Sequence, residues 1–129
     1  LTSIPGSSAC FDYGVVTYSN EAKKTFLQVP ETILNAYGAV SEQTALKMAE
    51  GVAAIRQTDM ALATTGIAGP GGGSKQKPVG LVYISCFYCG NVIGKECHFE
   101  GNREEIRLQS VQTVLQLALD TLTLNQVRS

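Results

Sequence analysis

Apolar and polar positions along the 129-residue chain follow two periods, one of two residues and one near 3.6. Gly14-Val15-Val16-Thr17-Tyr18 is β-branched and aromatic and predicts a strand. Ser19 or Asn20 caps a short helix from Glu21 to about Leu27. Pro30 suits the first turn of another short helix, which Gly38 ends. Ser41 caps the next, with Glu42 in its first turn and an apolar face of Ala45, Met48, Ala49, Val52, Ala53 and Ile55. Met60–Thr64 reads as a buried strand. Gly80–Cys89 and Val92–Phe99 flank Gly90-Asn91 as a hairpin. Asn102, with Glu105 three residues on, opens the last helix through a capping-box variant. Its predicted buried stripe is Ile106, Val111, Val114, Leu115, Ala118, Leu119 and Leu122, and the tail beyond Leu124 is expected to fray. Strand, helices, strand, hairpin and helix in that order predict a layered α/β domain. Its sheet should be mixed, because hairpins are antiparallel and helical crossovers join parallel strands. Leu1–Phe11 looks like the tail of a helix followed by a Pro5-Gly6-Ser7-Ser8 turn, so the chain is expected to lack an upstream element.

Composition narrows the function. At this length one domain buries a sizeable core. A net charge of −1 offers no electrostatic footprint for nucleic acid. No apolar run is long enough to cross a bilayer, and no secretory signal opens the chain. Cys86 and Cys89 have C-x-x-C spacing. On a strand, however, positions i and i+3 face opposite ways. No second C-x-x-C exists and His98 is the single histidine, so Cys10, Cys86, Cys89 and Cys97 are expected to be buried, reduced thiols of a cytoplasmic protein.

Gly66–Ser74 holds five of the thirteen glycines and leaves the end of the predicted Met60 strand. Such a loop can present backbone N–H groups to a small anion, or it can be a flexible surface loop; composition favours neither. A P-loop is excluded, since the order here is Gly73-Ser74-Lys75. A dinucleotide fingerprint is excluded too: Ser74 stands at its third glycine, and a strand follows instead of a helix. A Ser–His–Asp triad is poorly served by one distant histidine. A Ser–Lys pair remains open, although Lys23 on a short helix is ordinarily a solvated charge. Arg103 in a helix first turn opposes the macrodipole unless it contacts a phosphate or carboxylate, or pairs with Glu104 or Glu105.

Six stretches occur in order: Pro5-Gly6-Ser7-Ser8-Ala9, Gly14–Lys23, Gly38-Ala39-Val40-Ser41-Glu42, Thr65–Gly72, Lys77-Pro78-Val79-Gly80 and Gly101-Asn102-Arg103-Glu104. Together they resemble the C-terminal domain of the CinA (competence/damage-inducible) family over essentially the whole chain. The resemblance implies a three-layer α/β/α sandwich with a mixed sheet. It implies hydrolysis of the carboxamide of nicotinamide mononucleotide to nicotinate mononucleotide and ammonia. It assigns catalysis to Ser8, Lys23 and Tyr18, with Ser7 as the neighbouring alternative nucleophile and a substrate contact. Thr65, Gly66, Gly69, Gly71, Gly72 and Arg103 would hold ribose and phosphate. No metal or cofactor is implied; the partner is a small pyridine nucleotide, not nucleic acid or membrane. A homodimer is expected, although the small face Ala45/Ala49/Ala53 suits a dimer seam and helix–sheet packing equally.

The chain departs from the family in one respect. Members carry an upstream helix opened by Glu-Ser-Cys-Thr-Gly-Gly that contributes to the pocket, and it is absent from this sequence, as is the pyrophosphatase-type domain of longer members. The domain, residues 1–129, is therefore expected to be N-terminally incomplete. That departure keeps a second reading open, a non-catalytic nucleotide-binding or regulatory module associated with competence or DNA damage.

Overall fold

The computed structural model describes residues 1–128. A 3-10 turn, Ser7–Ala9, precedes α1 (Asn20–Leu27), α2 (Glu31–Tyr37) and α3 (Glu42–Arg56). Then come β1 (Met60–Gly66), β2 (Leu81–Tyr88), β3 (Asn91–His98) and α4 (Arg103–Arg128). The local signals act where the sequence places them. Ser19 Oγ accepts from Ala22 N (3.0 Å) and Ser41 Oγ from Thr44 N (3.2 Å), so both side chains satisfy donors that a helix start leaves orphaned. Asn102 Oδ1 accepts from Glu105 N while Asn102 N donates to Glu105 Oε1, which is the capping box in full.

The sheet order is β1-β2-β3 and both pairings are antiparallel. This corrects the expected mixed sheet. The parallel member was to be Gly14–Tyr18, but that segment is extended backbone outside any ladder. Among the described residues no strand lies alongside to accept its hydrogen bonds, and a β-branched run alone does not make a strand. Its alternation survives: Thr17 is buried while Val16 and Tyr18 are 87% and 82% exposed. The hairpin turn falls one residue earlier than expected, at Cys89-Gly90, both with positive φ, as a two-residue turn between twisted strands requires.

The three layers stand. Leu27, Val29, Leu34, Met48, Ala49 and Ala63 form the core between α1–α3 and one sheet face. Val82, Ile84, Cys97, Ile106 and Val114 form the core beneath α4. Ala45, Ala49 and Ala53 are buried inside the chain, so that small face serves helix–sheet packing. Ser85 in mid-sheet donates to Ala45 O at 2.6 Å, which satisfies its buried hydroxyl. Two expected stripes need correction. Ile55 is exposed on α3. On α4 the buried line is Ile106, Ser110, Val114, Ala118 and Thr121, whereas Val111, Leu119 and Leu122 face outward, because the narrow sheet covers only one side of the helix. The helix also continues past Leu124 to Arg128. All four cysteines are free; Cys86 and Cys97 are buried as expected, but Cys10 and Cys89 are exposed. No helix among the described residues is long and apolar enough to cross a membrane.

Candidate functional site

Two adjacent lysines on α1 have opposite environments. Lys24 reaches Glu21 (3.0 Å) and Glu31 (3.4 Å) at the surface, and the Glu21 hydrogen bond heads the causes that raise its pKa. Lys23 is only 6% exposed, and its Nζ donates to Thr17 O at 2.9 Å. Burial pushes its pKa below the ordinary lysine value. The cause lies in how the segments pack. The Ser19 cap starts α1 where one helical turn later Lys23 points back over the extended segment, and α3 closes over the same side. A desolvated amine is unprotonated in a larger fraction near neutral pH than a solvated one, which is the form a general base needs.

Arg103 joins segments far apart in the chain. Its Nη1 donates to Gly69 O at 2.9 Å and its Nη2 to Tyr18 Oη at 3.2 Å. With Glu105 engaged by Asn102, the arginine is free to fork between the glycine loop and the extended segment. Of the expected site residues, Tyr18, Gly69 and Arg103 are thus brought together, with Lys23 on the buried side of the same extended segment through Thr17.

The glycine loop leaves β1 and is closed by Ile67 N to Leu81 O (2.9 Å), Gly80 N to Ile67 O (2.8 Å) and Ser74 N to Lys77 O (2.8 Å). Gly69 has φ +78°, and an added Cβ would lie 2.6 Å from a Val79 methyl, so only glycine fits there. Gly71 and Gly72 sit at the exposed tip. The N–H groups of Gly69, Gly71 and Gly72 donate to no backbone carbonyl among the described residues. Gly66 serves the sheet rather than the loop, since a side chain there would strike Val82 and the Leu81 carbonyl of β2. Thr65 is buried and its hydroxyl donates to Ala39 O at 2.7 Å.

Ser7 is half-buried and Ser8 exposed in the 3-10 turn. Among the described residues no hydrogen bond links either hydroxyl to Lys23. One residue was passed over in the sequence. Lys77 Nζ donates to Tyr37 O at 2.6 Å, across the C-terminus of α2. Together with Thr65 on Ala39 O, and Ser41 and Thr44 both on Gly38 O, it pins three successive carbonyls of the turn beside the glycine loop. The Lys77-Pro78-Val79-Gly80 stretch was the available signal, but nothing local showed what the ammonium would reach. Among the described residues no three His, Cys, Asp or Glu side chains gather to hold a metal ion.

Comparison with known proteins shows the family and the fold. The family model for the CinA C-terminal domain matches residues 1–122. A CinA-like protein of Syntrophomonas wolfei is 50% identical over 117 residues, covering 91% of this chain and 28% of that protein. The competence/damage inducible protein CihA from Agrobacterium tumefaciens superposes with a TM-score of 0.90 at 48% identity, over 92% of this chain and 73% of that one. The competence damage-inducible protein A from Klebsiella pneumoniae gives 0.90 at 34% identity, over 95% and 76%. The chain spans 28% of the length of curated relatives such as those of Clostridium novyi and Clostridium beijerinckii.

Proposed function

Because this chain belongs to the CinA C-terminal domain family, we propose that it supplies a site hydrolysing the carboxamide of nicotinamide mononucleotide. The observation that carries the reading is Lys23, a buried amine with a lowered pKa that donates to Thr17 O, next in the chain to the Tyr18 whose hydroxyl Arg103 reaches together with Gly69 O. In this reading Ser8 Oγ attacks the amide carbon while unprotonated Lys23 Nζ takes the hydroxyl proton. Lys23 returns that proton to the leaving nitrogen, and ammonia departs from an acyl-serine. Water, deprotonated by Lys23, then releases nicotinate mononucleotide, and the proton restores the Ser8 hydroxyl. Ser7 on the same turn is the alternative nucleophile. Tyr18 orients the reacting groups. Thr65, the Gly66–Gly72 loop and Arg103 hold ribose and phosphate; two of the five guanidinium N–H donors are engaged, which leaves others for an oxyanion.

One observation favours a second reading: the serine hydroxyls make no hydrogen bond to Lys23. Under it the chain binds the nucleotide as a regulatory module without turnover. Ammonia release and calorimetric binding separate the two. Turnover lost in Ser8→Ala and in Lys23→Ala, with native circular dichroism, supports the hydrolase. Tight binding with no ammonia from the parent chain supports the module, and turnover retained in either variant removes that residue from the mechanism.

A further inference from the structure

The glycine loop stands on two legs, and both rest on Val79. An added Cβ would come 2.6 Å from a Val79 methyl at Gly69 and 2.9 Å from the Val79 nitrogen at Gly73. Arg103 holds the entry leg through Gly69 O at 2.9 Å. The exit leg is closed on itself, because Ser74 N donates to Lys77 O (2.8 Å) and Lys77 N donates to Ser74 Oγ (3.0 Å). Lys77 is thereby fixed at its backbone, while its side chain leaves the loop. Its Nζ donates to Tyr37 O at 2.6 Å, 40 positions earlier in the chain. Tyr37 is the last residue of α2, so this carbonyl is one that the helix itself leaves without a partner. Gly38 makes room for the contact, since a Cβ there would lie 3.0 Å from the ammonium nitrogen.

The turn that Lys77 grips also holds Thr65. Thr65 Oγ1 donates to Ala39 O at 2.7 Å, and Ser41 and Thr44 both donate to Gly38 O between the two pinned carbonyls. A threonine has one hydroxyl hydrogen. Spent on Ala39 O, it leaves the Thr65 oxygen able only to accept, which suits a sugar hydroxyl and repels a phosphate oxygen. The loop offers the opposite character, since the Gly71 and Gly72 amides donate to no backbone carbonyl among the described residues. Acceptor and donors therefore suit different parts of one nucleotide, and their separation depends on how the loop sits against the turn. We propose that Lys77 is a positioning residue for the nucleotide site: its ammonium holds the glycine loop in place against the turn at residues 37–39, so that the loop amides reach the phosphate while the Thr65 oxygen reaches the ribose. This assignment rests on the nucleotide reading above.

Two measurements on Lys77→Met test it, with Lys77→Arg as the conservative variant and Lys75→Met, at an exposed position of the same loop, as control. The first is hydrogen exchange of the free chain. In Lys77→Met the amides of Ser74, residue 77 and Gly80 should exchange about tenfold faster, the effect of losing one hydrogen bond from a charged group, while β2 amides keep the parent's rates. The second is ammonia release from nicotinamide mononucleotide. KM should rise about tenfold with kcat within about twofold of the parent, because the loss falls on binding and not on the reacting amide. Where the parent binds without turnover, the calorimetric Kd takes the place of KM and should rise by the same factor. Lys77→Arg should restore both readouts, since a lone carbonyl accepts from a guanidinium as it does from an ammonium. Lys75→Met should match the parent. Unchanged loop exchange in Lys77→Met overturns the proposal. So does faster exchange with unchanged nucleotide affinity, a loss confined to kcat, or an arginine that restores nothing. A parent chain that neither binds nor hydrolyses the nucleotide overturns the nucleotide reading itself, and the assignment of Lys77 to that site falls with it even where the exchange result shows the clamp. Should Lys77→Met fail to fold, Lys77→Gln, with an uncharged donor on a shorter stem, takes its place under the same criteria.

Discussion

Gly51→Ala should destabilise this protein although Gly51 lies in the middle of α3, where alanine is ordinarily better by about 1 kcal/mol. A Cβ at Gly51 would overlap the Leu27 carbonyl oxygen and come 2.9 Å from its carbonyl carbon and 3.1 Å from its Cα. These are backbone atoms at the end of α1, so no rotamer change relieves the contact. Helix α1 has to lift off α3 by on the order of 1 Å to restore ordinary separations. The lift loosens Leu27 and Val29, which are 3% and 2% exposed in the core they share with Leu34 and Met48. Overpacking costs about 1–3 kcal/mol, and a rigid backbone neighbour puts this case at the upper end. Set against the propensity gain, the net loss is about 2 kcal/mol, or a fall in Tm of roughly 7 °C for a chain of this size. Thermal and urea unfolding followed by circular dichroism, at one protein concentration, measure it. A Tm equal to or above the parent's would show that α1 rests on α3 loosely and that the argument from close approach fails. Because Lys23 lies one turn before Leu27, turnover should fall with stability.

Three further outcomes follow from the same geometry. Burial lowers the Lys23 pKa from 10.5, so the unfolded chain binds that proton more tightly and stability rises with pH from the folded pKa to about 10.5. Lys23→Met should therefore gain most in Tm over the parent at neutral pH, with the gap narrowing towards pH 10.5; a gap that does not change with pH would mean the ammonium is well solvated. The Tyr83 phenol is pushed up to about 12, chiefly by its 2.7 Å hydrogen bond to Glu96, so its contribution is complete below pH 10 and is lost as pH rises towards 12. Tyr83→Phe should abolish that alkaline loss and remove one late-titrating tyrosine from the ultraviolet titration. Arg103→Ala should raise KM for the nucleotide roughly tenfold to a hundredfold, the range of one lost charged contact, with much less change in kcat; an equal fall in kcat would put Arg103 at the reacting amide instead.

The helix starts were legible because a cap is a contact between residues three apart, as Ser19, Ser41 and the Asn102–Glu105 pair show. The hairpin and the glycine loop were legible for the same reason, since turn chemistry resides in the turn residues. The family was legible in six short motifs at their spacing. Much of the site was not. Nothing near Lys23 and Lys24 in the chain distinguishes the buried lysine from the solvated one; the difference arises when α1 folds against the extended segment and α3. Arg103 reads as a surface residue until the fold carries Gly69 and Tyr18 to it from 34 and 85 positions away.

The same division runs through the whole molecule. The order of residues alone determined which segments coil, where they begin, and which short stretches mark the family, because these depend on neighbours a few bonds apart. Only the tertiary structure decided that Gly14–Tyr18 stays unpaired, that the sheet is antiparallel throughout, and which side of α4 meets it. A strand needs a partner, and a helix with apolar residues on two faces buries whichever one the sheet is wide enough to cover.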